Sequence, residues 1–377
     1  MAGGARTSDS QQGFGASAAM IEGAALDVAT ERDGPVSKAR VGVVGYGTIG
    51  SRLADAVALQ GDMELVGVAD VAPTLPLRAL YESGVSYRVY SVDPEKVGTF
   101  AGAGIPVAGT LDDLLSNIDV ALDATPGGIG AKMKDLYRSH KVKAIFQGGE
   151  KDDIADVFFH GYANYEKGIG KDFLKLTSCN TTGLVRAVDA LDRAVGMEKV
   201  AITIIRRVAD PGDTHRGLVD VLQVEKVPNH QCVDLMKIMP HVQATGLLVH
   251  TPVTHGHIIN LVATPKKSIS VEEVIATLKQ HPRIRVVKIA DGFNSNAAFF
   301  QYARHMGTKR ADMYEIGVWE ECIGLSGKDV MFAIYIPQEA VTIPETIDGV
   351  RACLPMQTDR LEAVGLTNKY LGMHLRP

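Results

Sequence analysis

The sequence predicts an α/β fold made of two domains, and two observations carry this prediction. First, an apolar run, a glycine-rich loop, a helical pattern and a second apolar run follow one another over residues 40–70. This is the order of a βαβ unit in a parallel sheet. Second, strand-like runs with helical patterns between them dominate from Val200 onward. We expect that second part to be an α+β domain built on a largely antiparallel sheet.

The composition excludes several classes of protein. The chain has 377 residues, 22% of them charged, and a net charge of −5, which gives no reason to expect nucleic acid as a partner. The four cysteines are scattered without a CxxC pair. This argues against a disulfide framework or a metal site and for a reducing, cytoplasmic compartment. Because no apolar run approaches about 20 residues, we expect no membrane span.

The first 38 residues differ from the rest of the chain. They are rich in Gly, Ala and Ser and lack a long apolar run, so we expect residues 1–38 to form a flexible tail. A secretory signal would need a basic start followed by an apolar core, and a transit peptide would be poor in acidic residues. Neither pattern matches this segment.

The glycine-rich loop reads GYGTIG and follows the apolar run VGVV. In a Rossmann dinucleotide-binding domain, the first glycine allows a tight turn and the second lets backbone approach the pyrophosphate. The third lets the helix pack on the strand. Gly45, Gly47 and Gly50 occupy these places, and Thr48 and Ile49 begin the helix. Unpaired N–H groups at a helix start attract phosphate, so the sequence predicts a dinucleotide site here.

An acidic residue ends the second strand of this unit. Asp70 lies 20 residues after Gly50. A carboxylate at this place accepts hydrogen bonds from the adenosine ribose and repels a 2′-phosphate. No Lys or Arg follows until Arg78, so the pattern favours NAD over NADP. The alternative interpretation is a solvated aspartate at a strand end.

Two later loops fit the same site. Strand-like runs at residues 118–123 and 143–146 are each followed by turn residues, at 125–128 and at Gly148 and Gly149. In an open parallel sheet, loops at the carboxyl ends of strands lie over the cofactor. Each of them, taken alone, could also be an ordinary turn.

A cysteine stands between a strand-like run and an amphipathic run. Cys179 follows the run 173–176 and precedes the run 184–195, with polar Ser178 and Asn180 on either side. At a strand-to-helix junction, unpaired N–H groups and the positive helix end favour a thiolate, which is the nucleophilic form. The same groups could hold the oxyanion of an attacked carbonyl. The pattern predicts aldehyde oxidation through a thioester, with a small buried core residue as the alternative. The other three cysteines are interpreted as structural.

Further motifs stand in a fixed order along the chain. They are GYGTIG (45–50), QGGEK (147–151), SCNTTG (178–183), RRVADP (206–211), DGFNS (291–295), VWEE (318–321) and LTNK (366–369). In these motifs the chain resembles glyceraldehyde-3-phosphate dehydrogenase of the archaeal type, over residues 39–372. The resemblance implies an NAD-binding Rossmann domain of residues 39–178, completed by residues 338–377, and a catalytic domain of residues 179–337. It also implies a homotetramer.

The resemblance implies that Cys179 is the nucleophile and that a histidine is the base. The family's catalytic histidine is the first of two in a strand, which here is His255 in the motif THGH. Because positions i and i+2 of a strand face the same side, His257 could line the same pocket. For each histidine, the alternative is a hydrogen-bonded structural role.

Other residues are expected to bind the substrate and the cofactor. Those expected to contact the substrate or the attacking phosphate are Ser178, Asn180, Thr181, His230, Gln231 and Arg206, with the Thr182 hydroxyl nearby. On the cofactor side, the resemblance adds Gly148, Arg207 and Gln338. Adjacent strand residues face opposite sides, so at most one of the two arginines reaches the substrate directly. A surface or ion-pair role is the alternative for either arginine.

The expected reaction is the phosphorylating oxidation of glyceraldehyde 3-phosphate to 1,3-bisphosphoglycerate, a step of glycolysis and gluconeogenesis. The cofactor is NAD, with NADP weaker. One departure leaves alternatives open, because the family usually has two adjacent histidines and a glycine where this chain has His230, Gln231 and Cys232. A related semialdehyde, erythrose-4-phosphate or non-phosphorylating aldehyde dehydrogenase is one alternative. A nucleotide-bound regulatory protein without catalysis is another.

Overall fold

A computed structural model describes residues 38–207 and 222–373 of the chain. The predicted tail of residues 1–38 lies outside this part, apart from Lys38. Residues 208–211, the last four residues of the RRVADP motif, also lie outside it.

The first sheet is parallel and contains eight strands among the described residues. The strands are β1 (Ala39–Val44), β2 (Met63–Asp70), β3 (Val89–Ser91), β4 (Gly109–Thr110), β5 (Val120–Asp123), β6 (Lys143–Phe146), β7 (Val157–Phe159) and β8 (Phe173–Leu176). The helices between them are α1 (Thr48–Leu59), α2 (Leu75–Glu82), α3 (Val97–Gly102), α4 (Leu111–Leu115) and α5 (Gly130–Ser139). The predicted βαβ order of β1, α1 and β2 is confirmed.

The strand order of this sheet places a crevice at the carboxyl end of β1. The order is β4-β3-β2-β1-β5-β6-β8-β7, so the chain runs in one direction from β1 to β4 and in the other from β5 onward. Ligands of open α/β sheets bind where the direction of winding changes. The glycine-rich loop lies at this point, directly after β1.

The second sheet is mixed. Its strands are β9 (Met197–Arg207), β10 (Gln223–Val224), β11 (Gln243–Thr251), β12 (His257–Pro265), β13 (Ile284–Val287), β14 (Ile316–Trp319), β15 (Gly324–Ser326) and β16 (Asp329–Ile336). They are arranged in the order β10-β11-β9-β12-β16-β14-β13, with β15 on β16. The helices that follow β8 are α6 (Cys179–Val195), α7 (His230–Ile238), α8 (Val271–Gln280), α9 (Asn296–His305), α10 (Ile343–Cys353) and α11 (Arg360–Tyr370).

The expectation of a largely antiparallel second sheet is met only in part. The pairs β9–β11 and β13–β14 are parallel, whereas β9–β12, β12–β16 and β14–β16 are antiparallel. Parallel neighbours need a crossover connection, and α7 and α9 provide helices between the strands of these two pairs. These two crossovers were not predicted from the sequence.

One face of the second sheet is buried against helices. Along β9 the alternate residues Val200, Ile202 and Ile204 are buried in one cluster with apolar residues of α6, α7 and α8. The side-chain period of a strand is two, so residues 200, 202, 204 and 206 share the face that packs on these helices. This register decides which of the two predicted arginines lies on the face covered by α6 and α7.

The last helices return to the first sheet. Ile343, Ile347 and Val350 of α10 are buried in the same cluster as Ile145 of β6 and Leu174 of β8. The C-terminal part of the chain therefore completes the core on one face of the parallel sheet.

A buried ion network joins α6 to α10. Arg186 Nη2 lies 2.6 Å from Glu345 Oε1, and Arg283 Nη1 lies 2.7 Å from Glu345 Oε2 and 2.6 Å from Asp348 Oδ2. Burial alone raises the pKa of Glu345, but Arg283, His160 and Arg186 outweigh this effect and hold the pKa well below its ordinary value. Removing one partner of such a network leaves a buried charge, at a cost of about 3–5 kcal/mol. The network therefore fixes the helix that begins with the candidate nucleophile.

Candidate active site

The candidate nucleophile lies at the start of α6. Cys179 is the first residue of the helix, and Ser178 is its N-cap, with the Ser178 side chain accepting a hydrogen bond from the Thr181 N–H at 3.4 Å. β8 ends at Leu176, so the predicted strand-to-helix junction is confirmed. The N–H groups and partial positive charge of this first turn favour negative charge at Cys179.

Hydroxyl groups hold the turn around the cysteine together. Thr177 Oγ1 and Thr182 Oγ1 are 2.7 Å apart, and Ser178 Oγ and Thr181 Oγ1 are 3.0 Å apart. Both threonine side chains of the helix are fully buried. The hydroxyls predicted to bind substrate therefore hold the turn together in this structure.

The structure places His257 next to the cysteine. Its Nε2 is 3.7 Å from Cys179 Sγ, and its Nδ1 accepts a hydrogen bond from the Arg207 backbone N–H at 3.1 Å. Since Nδ1 is an acceptor, the neutral ring carries its proton on Nε2. His257 therefore presents an N–H donor to the sulfur, and Nε2 has no lone pair with which to take another proton.

Burial lowers the pKa of His257 well below its ordinary value, and the charges of Arg207 and Arg206 and the nearby His250 lower it further. His257 is 1% exposed, so water does not offset these effects. His257 is therefore uncharged at neutral pH, and it acts on the sulfur as a neutral donor.

His255 lies outside strand β12. The prediction that His255 and His257 face the same side of one strand is therefore wrong. β12 begins at His257, and Gly256 between them has φ of 69°, a left-handed conformation that redirects the chain. The His255 ring stacks on Phe300 with centroids 4.2 Å apart. Its ring nitrogens have no hydrogen-bond partner among the residues that the structure describes, so they can exchange a proton with a ligand.

A cavity of about 280 Å³ adjoins His255. Its lining also includes Arg207 and Gln338, two of the predicted cofactor-side residues, but not Cys179. The Arg207 guanidinium donates to the Thr254 carbonyl at 2.7 Å and lies 3.0 Å from Glu339 Oε1. Arg207 therefore faces away from α6, as expected for a neighbour of Arg206 on a strand.

Arg206 faces the side of the sheet on which α6 and α7 pack. It lies opposite His250 in the parallel pair of β9 and β11, and its Nη1 is 4.0 Å from Glu225 Oε1. Neither Glu225 nor His250 was predicted from the sequence as a site residue. The alternation of buried Leu248 with His250 along β11 is the signal that could have placed His250 on this face.

The predicted phosphate-site segment forms the start of α7. Asn229 caps the helix by accepting from the Cys232 N–H at 3.0 Å, and His230 is its first residue. Burial lowers the pKa of His230. The charge of Asp234 raises this pKa and that of Arg206 lowers it, and the net result is a pKa below the ordinary value. His230 is therefore a neutral hydrogen-bonding group near pH 7.

Two side-chain amides at these helix starts are buried without partners for their oxygens. Asn180 is 2% exposed and Gln231 is 1% exposed. Neither Asn180 Oδ1 nor Gln231 Oε1 has a hydrogen-bond partner within the described part of the chain. An orphaned buried acceptor costs about 1–3 kcal/mol, so a hydroxyl or water bound here would stabilise the site.

The cysteine in the phosphate-site segment faces the core. Cys232 is fully buried in the cluster that contains Leu235 and Leu248, and burial raises the pKa of its thiol to about 11. The replacement of the family's glycine by Cys232 therefore adds core volume and leaves an unreactive thiol.

The glycine-rich loop forms a cradle that fits a diphosphate. Gly45 has φ of 87°, and a Cβ added at Gly50 would collide with the Gly45 carbonyl. A Cβ added at Gly47 would meet no atom within 4 Å. Gly47 is also the N-cap of α1 and has no side chain that could cap the helix, so no capping side chain occupies the N–H groups of the first turn at Thr48 and Ile49. Such a helix start binds phosphate.

Asp70 connects the glycine-rich loop to β2. Its Oδ2 accepts from the Tyr46 N–H at 2.9 Å and its Oδ1 accepts from the Val71 N–H at 2.7 Å. Each carboxylate oxygen retains acceptor capacity after one such bond. The carboxylate is therefore fixed beside the loop, where a ribose hydroxyl could donate to it.

Gly148 lies against the turn that carries the cysteine. A Cβ added at Gly148 would be 3.0 Å from Ser178 Cα and 3.3 Å from Ser178 N, closer than side chains normally approach. The loop after β6 thus contacts the N-cap of α6. The predicted cofactor residue Gly148 lies against Ser178, which directly precedes the nucleophile Cys179 in the chain.

Comparison with known proteins places the chain in a family. Residues 178–321 match the C-terminal domain of glyceraldehyde 3-phosphate dehydrogenase. The glyceraldehyde-3-phosphate dehydrogenase of Methanobacterium bryantii is 39% identical over 336 residues, 88% of this chain and 99% of the relative. That of Thermococcus kodakarensis is 41% identical over 338 residues, covering 89% and 99%. Among solved structures, aspartate semialdehyde dehydrogenase II from Vibrio cholerae is similar with a TM-score of 0.61 and 15% identity over 85% of this chain and 99% of that one.

These findings define first a class and then a family. The parallel sheet with its glycine cradle and the mixed sheet behind a helix-start cysteine are features of a nicotinamide-dependent aldehyde oxidoreductase. The chain belongs to the glyceraldehyde-3-phosphate dehydrogenase family. Members of this family use a nicotinamide dinucleotide. Within the described residues, no helix is long and apolar enough to cross a membrane, and no group of three His, Cys, Asp or Glu side chains could hold a metal ion.

Proposed function

We propose that this protein oxidises glyceraldehyde 3-phosphate to 1,3-bisphosphoglycerate with reduction of NAD and uptake of inorganic phosphate. The observation that carries the proposal is the pairing of Cys179, at the start of α6, with the N–H donor of His257 at 3.7 Å. The names of the relatives support the substrate.

In the first step, the Cys179 thiolate attacks the aldehyde carbon and a carbon–sulfur bond forms. The carbonyl oxygen gains the negative charge. The His257 Nε2–H and the backbone N–H groups of the first turn of α6 are the donors available to it. Asn180, with its unpartnered buried oxygen, is available to accept from the substrate's hydroxyl group.

The oxyanion takes up a proton from solvent and becomes a hemithioacetal. In the second step, the hemithioacetal gives up this hydroxyl proton to a base and loses a hydride from carbon, which leaves a thioester. His255 is the proposed proton acceptor, because His257 already carries its proton on Nε2 and its Nδ1 is occupied by Arg207 N–H. Gly45, Gly47 and the first turn of α1 would hold the cofactor, and its nicotinamide ring, when bound, supplies the hydride acceptor.

In the third step, inorganic phosphate attacks the thioester carbon, the carbon–sulfur bond breaks and the thiolate is restored. The product is an acyl phosphate. Arg206, His230 and Gln231 are the proposed ligands of the attacking phosphate and of the substrate's own phosphate. Arg206 supplies the charge, since burial lowers the pKa of His230 and leaves it neutral.

The proposed reaction is tested by NADH formation with a panel of aldehydes, with Cys179→Ser and Cys322→Ser as a matched pair. A serine hydroxyl ionises too weakly to replace the thiolate, so Cys179→Ser is expected to abolish hydride transfer and to leave cofactor binding intact. Cys322 is exposed and lies outside the site, and its variant is expected to be unchanged. Turnover of Cys179→Ser at the wild-type rate would contradict the mechanism.

We further propose that NAD is preferred to NADP. Asp70 is nine-tenths buried beside the glycine-rich loop, and its charge would face a 2′-phosphate. A preference of roughly tenfold or more in kcat/KM is expected, equivalent to about 1.4 kcal/mol. Asp70→Asn is expected to reduce the preference. Equal kcat/KM with both cofactors in the wild type would count against this assignment.

A second candidate function is oxidation of a related aldehyde, with or without phosphate. The observation that favours it is Gln231, an uncharged amide where the family usually has a second histidine. The same aldehyde panel separates the two, because a higher kcat/KM for a semialdehyde or for erythrose 4-phosphate would select this candidate.

The remaining expectations are kept as proposals. They are a homotetramer, a cytoplasmic location, and a division into residues 39–178 with 338–377 and residues 179–337. The packing of α10 on β6 and β8 supports the return of the C-terminal segment to the cofactor domain.

A further inference from the structure

One acidic side chain lies beside Arg206 in the proposed anion site. Glu225 follows β10, and its backbone N–H donates to the Leu248 carbonyl at 3.1 Å. Leu248 is buried in the core beneath α7. Residues opposite one another on antiparallel strands face the same side, as do residues two apart on one strand. Glu225 and His250 therefore face the side on which Arg206 lies, opposite His250 in the register of β9 and β11.

Glu225 contacts both neighbours through one oxygen. Its Oε1 is 2.7 Å from His250 Nε2 and 4.0 Å from Arg206 Nη1. The first distance is that of a hydrogen bond, whereas the second exceeds it. The carboxylate is thus held firmly by the histidine and only loosely by the arginine. Since the Arg206 side chain is 34% exposed, a dissolved anion can reach it.

Arg206 is the cation through which this site attracts anions. His230 is neutral near pH 7, because burial lowers its pKa. Lys175 is buried and lies 2.7 Å from Asp152 Oδ1. Within the described residues, Glu225 is the acidic side chain within 4.0 Å of Arg206.

We propose that Glu225 is an internal counter-ion that competes with phosphate groups for Arg206 and so sets the affinity of the site for anions. This inference rests on the anion site proposed above. When phosphate binds, the guanidinium exchanges a loose 4.0 Å contact for direct hydrogen bonds, which are stronger with phosphate. His250 keeps the carboxylate in place during the exchange. Glu225 is therefore a specificity-determining residue that limits how tightly phosphorylated ligands bind.

The test is thermal unfolding of the full chain at increasing concentrations of inorganic phosphate, without cofactor or aldehyde. Glu225→Gln removes the competing charge and keeps a hydrogen-bond acceptor for His250. The half-saturating phosphate concentration is expected to fall by roughly two- to fivefold, the range for a partly exposed ion pair. Glu198→Gln is the matched control, because Glu198 is at the other end of β9 and pairs with Lys328 at 2.9 Å. That variant is expected to match the wild type.

A second pair of variants shows whether the effect passes through Arg206. In Arg206→Gln the response to phosphate is expected to weaken, and adding Glu225→Gln to it is expected to change nothing further. The proposal is overturned if Glu225→Gln leaves the half-saturating concentration unchanged or raises it, or if the fall persists without Arg206. The assay contains no aldehyde, so a failure of the proposed dehydrogenase activity would instead be recognised by absent NADH formation.

Discussion

His257, beside Cys179, and His255, beside the cavity, have different hydrogen-bonding states, and this difference supports different roles for them. His257 donates through Nε2 because its Nδ1 is occupied by the Arg207 N–H, whereas both nitrogens of His255 remain available to a ligand. A donor beside the sulfur stabilises the thiolate and later the oxyanion. A proton acceptor needs an unengaged lone pair, and the lone pair of His257 on Nδ1 is engaged with the Arg207 N–H, so His255 is the proposed acceptor.

The two histidines can be separated with His255→Asn and His257→Asn. His255→Asn is expected to lower the oxidation rate by roughly 10² to 10⁴, the usual share of acid–base catalysis, with the pH dependence of Cys179 alkylation unchanged. His257→Asn replaces the imidazole with a shorter amide that does not reach the sulfur. Its main effect is expected to be alkylation at a higher pH, since the thiolate loses a donor.

Stopped-flow measurement of NADH formation and iodoacetamide titration check these outcomes. If His257→Asn slows oxidation to that extent and His255→Asn does not, the assignment within the pair is wrong. The pKa of His257 is lowered chiefly by burial. At any pH above this lowered pKa, His257 is neutral. Protonation of His257 is therefore expected to affect the rate only well below pH 6.5.

Residue types were predictable from the sequence, but the geometry of this pair was not. The resemblance to the family implied a catalytic histidine in the motif THGH, and a strand period would place both rings on one face. Gly256 adopts a φ of 69° and interrupts that period. A left-handed glycine cannot be distinguished in a sequence from a glycine in an extended strand.

At the level of secondary structure, junctions between strands and helices position the chemistry. The start of α1 faces the proposed diphosphate site, and the start of α6 carries the nucleophile. The loop after β6 joins these two regions, because Gly148 lies against Ser178. A small displacement of this loop would move the nucleophile relative to the cofactor.

Gly148→Ala tests this contact. Its Cβ would be 3.0 Å from Ser178 Cα. Because the closest atoms that it would meet belong to the Ser178 backbone, they cannot move aside as a flexible side chain could. The free energy of unfolding is expected to fall by about 1–3 kcal/mol, typical of overpacking. The oxidation rate is expected to fall up to about 100-fold, because misplacement by about 1 Å has such effects.

Gly98→Ala provides the control for that variant. An added Cβ at Gly98, in α3, meets no atom within 4 Å, so the rate is expected to stay at the wild-type value. The free energy of unfolding is expected to stay the same or to rise by up to about 1 kcal/mol, because alanine favours a helix more than glycine does. Chemical denaturation and steady-state kinetics measure both quantities. A Gly148→Ala enzyme with the wild-type rate would show that the loop does not position the cysteine.

Most elements of the parallel sheet were predictable from the sequence because they follow a local pattern. β8 was expected at residues 173–176 and β6 at residues 143–146, where the structure has them. The mixed order of the second sheet was not predictable, since parallel pairing of β9 with β11 and of β13 with β14 depends on contacts between distant segments. Strand-like patterns do not reveal which neighbour a strand will have.

At the level of the whole molecule, the charged groups inside the protein were the least predictable feature. Arg186 and Arg283 look like surface residues in the sequence, yet both are fully buried with Glu345 and Asp348. Charged residues are almost never fully buried unless paired. Their partners lie more than 60 positions away along the chain, so no local pattern indicates the pairing.

The central claim is that a thioester on Cys179 is released by phosphate, and phosphate dependence of NADH formation tests it most directly. Enzyme is mixed with glyceraldehyde 3-phosphate and NAD in phosphate-free buffer, and NADH is followed in time. We expect a burst of one NADH per active site and then slow hydrolysis, since the thioester lacks its nucleophile. Phosphate or arsenate should restore continuous turnover. Multiple turnovers at the full rate without either anion would contradict the account and favour a non-phosphorylating enzyme.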